Sequence, residues 1–234
     1  MSAVASSHAG PSRRLPRTRL QRVLGTTIGL KIVMAVTGVM LCLFVLGHMV
    51  GNLQAFQGAE PVNAYAKLLR KEPALLWSVR LGLLAAVGLH IYAYIVLMRM
   101  NQTARAVGYR VVAHKESSYA SRSMGLTGPL VLAFIIFHIL HLTTGTVHPD
   151  YHEGDVYANL VNGLRVVWVS VFYLLAMGAL ALHLWHGVWS LFQTLGVSQP
   201  RYRSFGRRFA TVFTVLVVLG FSAIPLAVLA GIIH

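Results

Sequence analysis

The chain of 234 residues has one cysteine, Cys42, and six acidic residues against twenty basic ones. A single thiol excludes an internal disulfide, the C-x-x-C-H attachment of a c-type haem, and a thiolate set for an iron–sulfur cluster, since even a Rieske centre needs two cysteines. No Walker A or dinucleotide-binding glycine fingerprint is present, so the chain has no sequence device for holding ATP, NAD or flavin. The acids, Glu60, Glu72, Glu116, Asp150, Glu153 and Asp155, all lie outside the long apolar segments. No carboxylate is therefore available inside those segments for a di-metal site.

Apolar length is what the chain has in quantity. Hydrophobic residues make up 56% and charged residues 11%, and mean hydropathy is +0.65. Five runs reach the roughly 20 residues that a helix needs to cross hydrocarbon: Leu30 to Gly51, Ala74 to Met98, Gly125 to Gly145, Leu164 to Leu195 and Phe209 to Ile233. A chain in lipid satisfies its backbone only as helix or closed barrel, and the alternation of barrel strands is missing. The expected fold is all-α: an integral membrane bundle of five transmembrane helices in one domain, residues 30 to 234, behind a basic arm, residues 1 to 29. The fourth run exceeds a single span and is expected to tilt or project from the membrane. The arm is Arg-rich, contains Pro11 and Pro16, and has no apolar stretch leading to a small-residue cleavage site, so it reads as partly disordered and the first helix as a retained anchor. The loops from Arg99 to Met124 and from Thr146 to Gly163 are long enough for short surface helices. No tandem repeat is visible.

The basic residues give an orientation. With the N-terminus inside, all of them except Lys67, Arg70, Lys71, Arg80 and Arg165 fall on the inner side, where Glu116 is the only acid. The inner face then carries the whole formal charge of +14, consistent with the isoelectric point near 10.8. The positive-inside rule places the N-terminus in and the C-terminus out. Such a face contacts anionic headgroups and suits an acidic soluble partner. Short basic loops tied to membrane helices are not a nucleic-acid-binding domain.

Four apolar runs hold one central histidine each: His48, His90, His138 and His183. A buried imidazole in hydrocarbon is costly without a partner, so four in separate spans point to shared ligands. At 1.5 Å of rise per residue, His48 lies about 25 Å and His138 about 20 Å beyond the inner starts of their helices, toward the outer leaflet. His90 and His183 lie late in helices that descend, toward the inner leaflet. Two bis-histidine b-type haems, one on each level, are the simplest ligands that fit. Small residues nearby, Gly47, Gly51, Gly82, Gly88, Gly178 and Ala179, leave room for a flat ring or for close helix contact. His141 and His186 follow His138 and His183 by three residues, on the same helix face. Without a carboxylate beside them they read as groups near propionates or quinone rather than a non-haem metal site. His8, His114, His148, His152 and His234 read as solvated.

Several runs resemble a known family: His48-Met49-Val50-Gly51-Asn52, Phe137-His138-Ile139-Leu140-His141, and above all His183-Leu184-Trp185-His186-Gly187-Val188-Trp189-Ser190 with Gln193-Thr194-Leu195-Gly196. Over residues 20 to 232 the chain is similar to the cytochrome b558 membrane subunit of succinate dehydrogenase and fumarate reductase, with His90 matching by helix and depth. The resemblance implies a single five-helix chain in the cytoplasmic (inner) membrane that anchors a flavoprotein and an iron–sulfur subunit, binds two haems b, and exchanges electrons with quinone, usually menaquinone. It implies that His90 and His183 ligate the haem next to the iron–sulfur subunit, and His48 and His138 the distal one. Electrons from succinate would then reach quinone by way of the inner haem, directly or through the outer one. This chain would be an electron-transfer anchor of respiratory complex II, and succinate oxidation would belong to a partner subunit.

Further candidates follow from position. Arg80 and Arg165 near the outer helix ends, and Lys31 and Arg22 at the inner end of the first helix, are candidate propionate partners or snorkelling headgroup contacts. Ser78, Trp189, Ser190 and Gln193 are candidate quinone contacts, and Glu60 and Glu72 either relay protons or are solvated loop acids. Two other readings remain open from residues alone. One is the b subunit of a hydrogenase, a formate dehydrogenase or a b561-type reductase. The other is a haem-free transporter that relays protons through histidine.

Overall fold

The computed structural model describes residues 25–103, 119–196 and 200–234. Most of the N-terminal arm with Arg22, and the middle of the Arg99 to Met124 loop with its expected surface helices, lie outside the described residues. Among those described, the chain is all helical. The elements are α1 (Thr27–Leu53), α2 (Ala59–Arg70), α3 (Pro73–Thr103), α4 (Tyr119–Leu142), α5 (Val156–Arg165), α6 (Val167–Thr194) and α7 (Pro200–Leu229), with a 3₁₀ turn at Gln54–Gln57. Five of them, α1, α3, α4, α6 and α7, are long and apolar enough to cross a membrane.

Helix ends follow local chemistry. Thr26 caps α1 by accepting the Gly29 N–H at 3.0 Å, so the helix begins three residues before the apolar run does. The 3₁₀ turn stops at Gly58, whose φ of 100° is open only to a residue without Cβ. Helix α2, inside what reads from sequence as a loop, carries Glu60 in its first turn and Lys67 and Arg70 in its last, each complementing the helix dipole.

The fourth apolar run is not one long projecting helix. The backbone turns extended at Val166 (φ −73°, ψ 107°), so Leu164 and Arg165 end α5 and a separate helix, α6, starts at Val167. Asp155 caps α5 through the Ala158 N–H at 3.0 Å, and the Ser170 hydroxyl donates to the Leu164 carbonyl at 2.5 Å across the break. Hydropathy alone cannot show such a corner, because both sides of it are apolar. The short surface helix expected in the Thr146 to Gly163 loop is α5.

Helices α2 and α5 lie together over one end of the bundle, here called the cap. Asn63 of α2 donates to the Asp155 carboxylate at 2.9 Å and accepts the Tyr157 N–H at 3.1 Å. The Tyr157 hydroxyl donates to the carbonyl of His234 at 3.2 Å, which puts the C-terminus at the cap. Below the cap, α1 packs against α3, α4 against α6, and α7 against both α1 and α6. Met49, Leu184 and Val217 form the α1–α6–α7 core, and Gly220 of α7 takes the Met49 thioether where a Cβ would collide with it. No comparable packing joins α3 to α4 or α6, or α1 to α4, among the described residues. Helices α1 and α6 touch, but elsewhere among the described residues the α1/α3 pair stands apart from the α4/α6 pair, leaving a gap that side chains bridge.

Candidate bis-histidine site in the membrane bundle

Helices α1 and α4 run toward the cap, and α3 and α6 run away from it. His48 and His138 therefore arrive near the cap, and His90 and His183 nearer the basic end. The rings meet across the gap: His48 and His138 have centroids 5.8 Å apart with planes at 82°, and His90 and His183 have centroids 6.4 Å apart with planes at 55°. Each pair takes one ring from the α1/α3 side and one from the α4/α6 side.

Hydrogen bonds orient three of the four rings. The Thr37 hydroxyl donates to the Val33 carbonyl at 2.8 Å, so its oxygen accepts from His90 Nδ1 at 3.1 Å. That assignment puts the proton on Nδ1 and leaves Nε2 with a free lone pair. His138 Nδ1 lies 3.3 Å from the Tyr173 hydroxyl. The Asn52 amide, one turn beyond His48, donates to the His48 carbonyl at 2.7 Å and lies 3.3 Å from its ring nitrogens. His183 Nδ1 is buried and has no hydrogen-bond partner among the described residues.

The geometry fits haem better than a metal held by side chains alone. Among the described residues no three His, Cys, Asp or Glu side chains converge as a cage. A haem iron asks for only two, and two imidazoles bonded to one metal at about 2 Å each have centroids about 6 Å apart. Small residues flank the His90/His183 pair on both sides: a Cβ on Gly38 would stand 3.6 Å from His90, and one on Gly128 would stand 4.0 Å from His183. Around Gly47, Gly82, Gly88 and Gly178 a Cβ would meet nothing within 4 Å. Gly51 instead takes the Tyr65 ring.

His141 and His186 do not enter the pairs. His141 is fully buried, hydrogen-bonded through Nδ1 to Tyr173 at 2.9 Å and stacked on His148 at 4.9 Å. His186 is half-buried, with an unpartnered Nδ1 among the described residues. Arg80 is exposed over the Trp77 ring, 5.2 Å from its centroid, and Arg165 and Lys31 are exposed at the ends of α5 and α1. The Ser78 hydroxyl goes to the Ala74 carbonyl at 2.7 Å and that of Ser190 to the Gly187 carbonyl at 2.9 Å, both within their own helices. Trp189 is buried beneath Arg207, and Gln193 lies exposed on the last turn of α6. Glu60 and Glu72 belong to the cap end, Glu60 exposed in the first turn of α2 and Glu72 just before α3.

Sequence reasoning missed Thr37, Asn52 and Tyr173 as supports of the histidine rings. Asn52 carried a signal, since a polar residue four positions after His48 shares its helix face. Thr37 and Tyr173 carried none, because they reach their histidines from other helices.

A family model described as succinate dehydrogenase/fumarate reductase transmembrane subunit matches residues 98–223, more than half of the chain. The match spans α4, α6 and most of α7, with His138, His141, His183 and His186. No curated protein and no solved structure matches the chain.

Proposed function

The chain belongs to the family of succinate dehydrogenase/fumarate reductase transmembrane subunits, and from that premise we propose that it is the b-type haem anchor of complex II in the cytoplasmic membrane. Membership makes it a membrane subunit that associates with other subunits of that complex. The finer reading is that it holds two haems b, docks the flavoprotein and iron–sulfur subunits on its basic inner face, and serves membrane quinone, with menaquinone the expected form.

One observation carries this reading: two histidine pairs face each other across the gap at two levels of the bundle. His48 and His138 would hold the haem near the cap, and His90 and His183 the haem near the basic end. Bound there, haem b supplies one-electron chemistry at its iron. The chain's residues supply the rest. Thr37 fixes the His90 tautomer, Tyr173 and Asn52 hold the rings nearer the cap, and the apolar helices keep water from both sites.

The test is purification of the tagged full chain from host membranes in mild detergent. The flavoprotein and iron–sulfur subunits should co-purify, with two protohaems per chain and an α-band after dithionite reduction. Soluble subunits present without an α-band would rule out the haem reading, and with it the whole assignment of the histidines.

A further inference from the structure

His141 is a buried imidazole that the two haem pairs leave unused. Its surroundings are closed. The ring stacks on Phe137 at 5.4 Å and on His148 at 4.9 Å, nearly parallel in both cases, and a Cβ on Gly163 would stand 2.6 Å from its Cε1 and Nε2. His148 offers it no hydrogen bond. Both of that ring's nitrogens are taken, Nε2 donating to the Asn159 carbonyl at 2.8 Å and Nδ1 accepting the Asp150 N–H at 3.0 Å. Among the described residues Tyr173 is the hydrogen-bond partner of His141, at Nδ1, and Nε2 has none. A phenylalanine would stack equally well without stranding a nitrogen. The value of an imidazole here therefore lies in Nδ1.

The Tyr173 hydroxyl sits between two such nitrogens, 3.3 Å from His138 Nδ1 and 2.9 Å from His141 Nδ1. A phenol has one proton to give. If His138 ligates through Nε2, it carries its proton on Nδ1 and donates it to the Tyr173 oxygen. The tyrosine proton then goes to His141, which accepts at Nδ1 and keeps its own proton on Nε2 beside Gly163. Two hydrogen bonds running in the same sense polarise each other, and the effect at the far end is a more electron-rich His138.

We propose that Tyr173 and His141 are positioning residues that fix the tautomer of His138 and raise its donor strength toward the haem near the cap. The proposal rests on the haem reading above. At the other site a threonine hydroxyl stands at His90 Nδ1, and His183 on α6 has no partner at Nδ1 among the described residues. A more basic axial ligand favours the oxidised iron, so the pair holds the potential of the haem near the cap below the value that His138 would give alone.

The test uses the intact complex and three variants, Tyr173→Phe, His141→Leu and His141→Asn, read by haem content and by redox titration of each spectral component. Wild type must first show its α-band; its absence would defeat the haem reading before any variant is compared. In Tyr173→Phe and His141→Leu, both haems should remain and one component should titrate at higher potential while the other stays in place. His141→Asn, whose side-chain oxygen takes the position of Nδ1, should return that component toward wild type. Wild-type potentials in Tyr173→Phe, or equal shifts in His141→Leu and His141→Asn, would overturn the proposal. Should Tyr173→Phe lose its haem, the comparison of the two His141 variants decides alone.

Discussion

At the scale of residues, the four paired histidines differ in what holds them: a threonine hydroxyl for His90, a tyrosine hydroxyl for His138, an amide one turn away for His48, and none among the described residues for His183. Removing such a support commonly weakens metal binding about 10- to 100-fold. Thr37→Val keeps the shape and removes the acceptor, so haem should leave the His90/His183 site that much faster, measured as transfer to apomyoglobin. The component at His48/His138 should be unaffected. Apolar depth let the sequence suggest which histidines stand at one level, because each histidine's distance from its helix start can be counted along the chain. The supports were not legible: Thr37 lies 53 residues from His90, and Tyr173 lies 35 from His138. Those contacts exist only once α1 packs on α3 and α4 on α6.

At the scale of elements, the cap depends on α5 standing close to α4 and on polar side chains holding the strap between them. Asn159 is buried, and its side chain accepts the His152 N–H at 2.8 Å and donates to the His152 carbonyl at 2.7 Å. Gly163 sets the distance, since an added methyl would overlap His141 and approach His148 Nε2 at 2.8 Å. Gly163→Ala should therefore lower stability by about 1–3 kcal/mol through overpacking, read as a lower melting temperature of the purified complex. Acid should loosen the same cap. The Ala158 N–H and the Asn63 amide hold the Asp155 carboxyl below its usual range, so its contribution is present above the ordinary carboxylate pKa and is lost as pH falls through the depressed one. Asp155→Ala should cost about 1 kcal/mol at neutral pH and flatten that acid-side decline, as followed by melting at a series of pH values. The α5–α6 corner and α2 escaped the sequence reading for different reasons. The corner sits inside an unbroken apolar run, whereas α2 is too polar and too short to stand out by hydropathy.

For the whole molecule, the five apolar runs were enough to give the all-helical membrane bundle, because hydrocarbon leaves the backbone few choices. The order in which the helices pack was not readable, since lipid-facing and helix-facing surfaces are both apolar. Orientation rests on charge. The cap end carries acids and bases together, while Lys31, Arg99, Arg122 and the run from Arg201 to Arg208 mark the opposite end. With that end inside, a C-terminal alkaline phosphatase fusion should be active and a C-terminal green fluorescent protein fusion dark. The reverse pattern would invert the docking face and the roles of both sites.

The most direct measurement is haem quantification and the reduced-minus-oxidised spectrum of the complex carrying His48→Ala, His90→Ala, His138→Ala or His183→Ala. The account predicts two spectral components that fail in pairs: His48→Ala and His138→Ala lose one, and His90→Ala and His183→Ala lose the other. Loss of the same component in His48→Ala and His90→Ala, or full haem in all four variants, would contradict it.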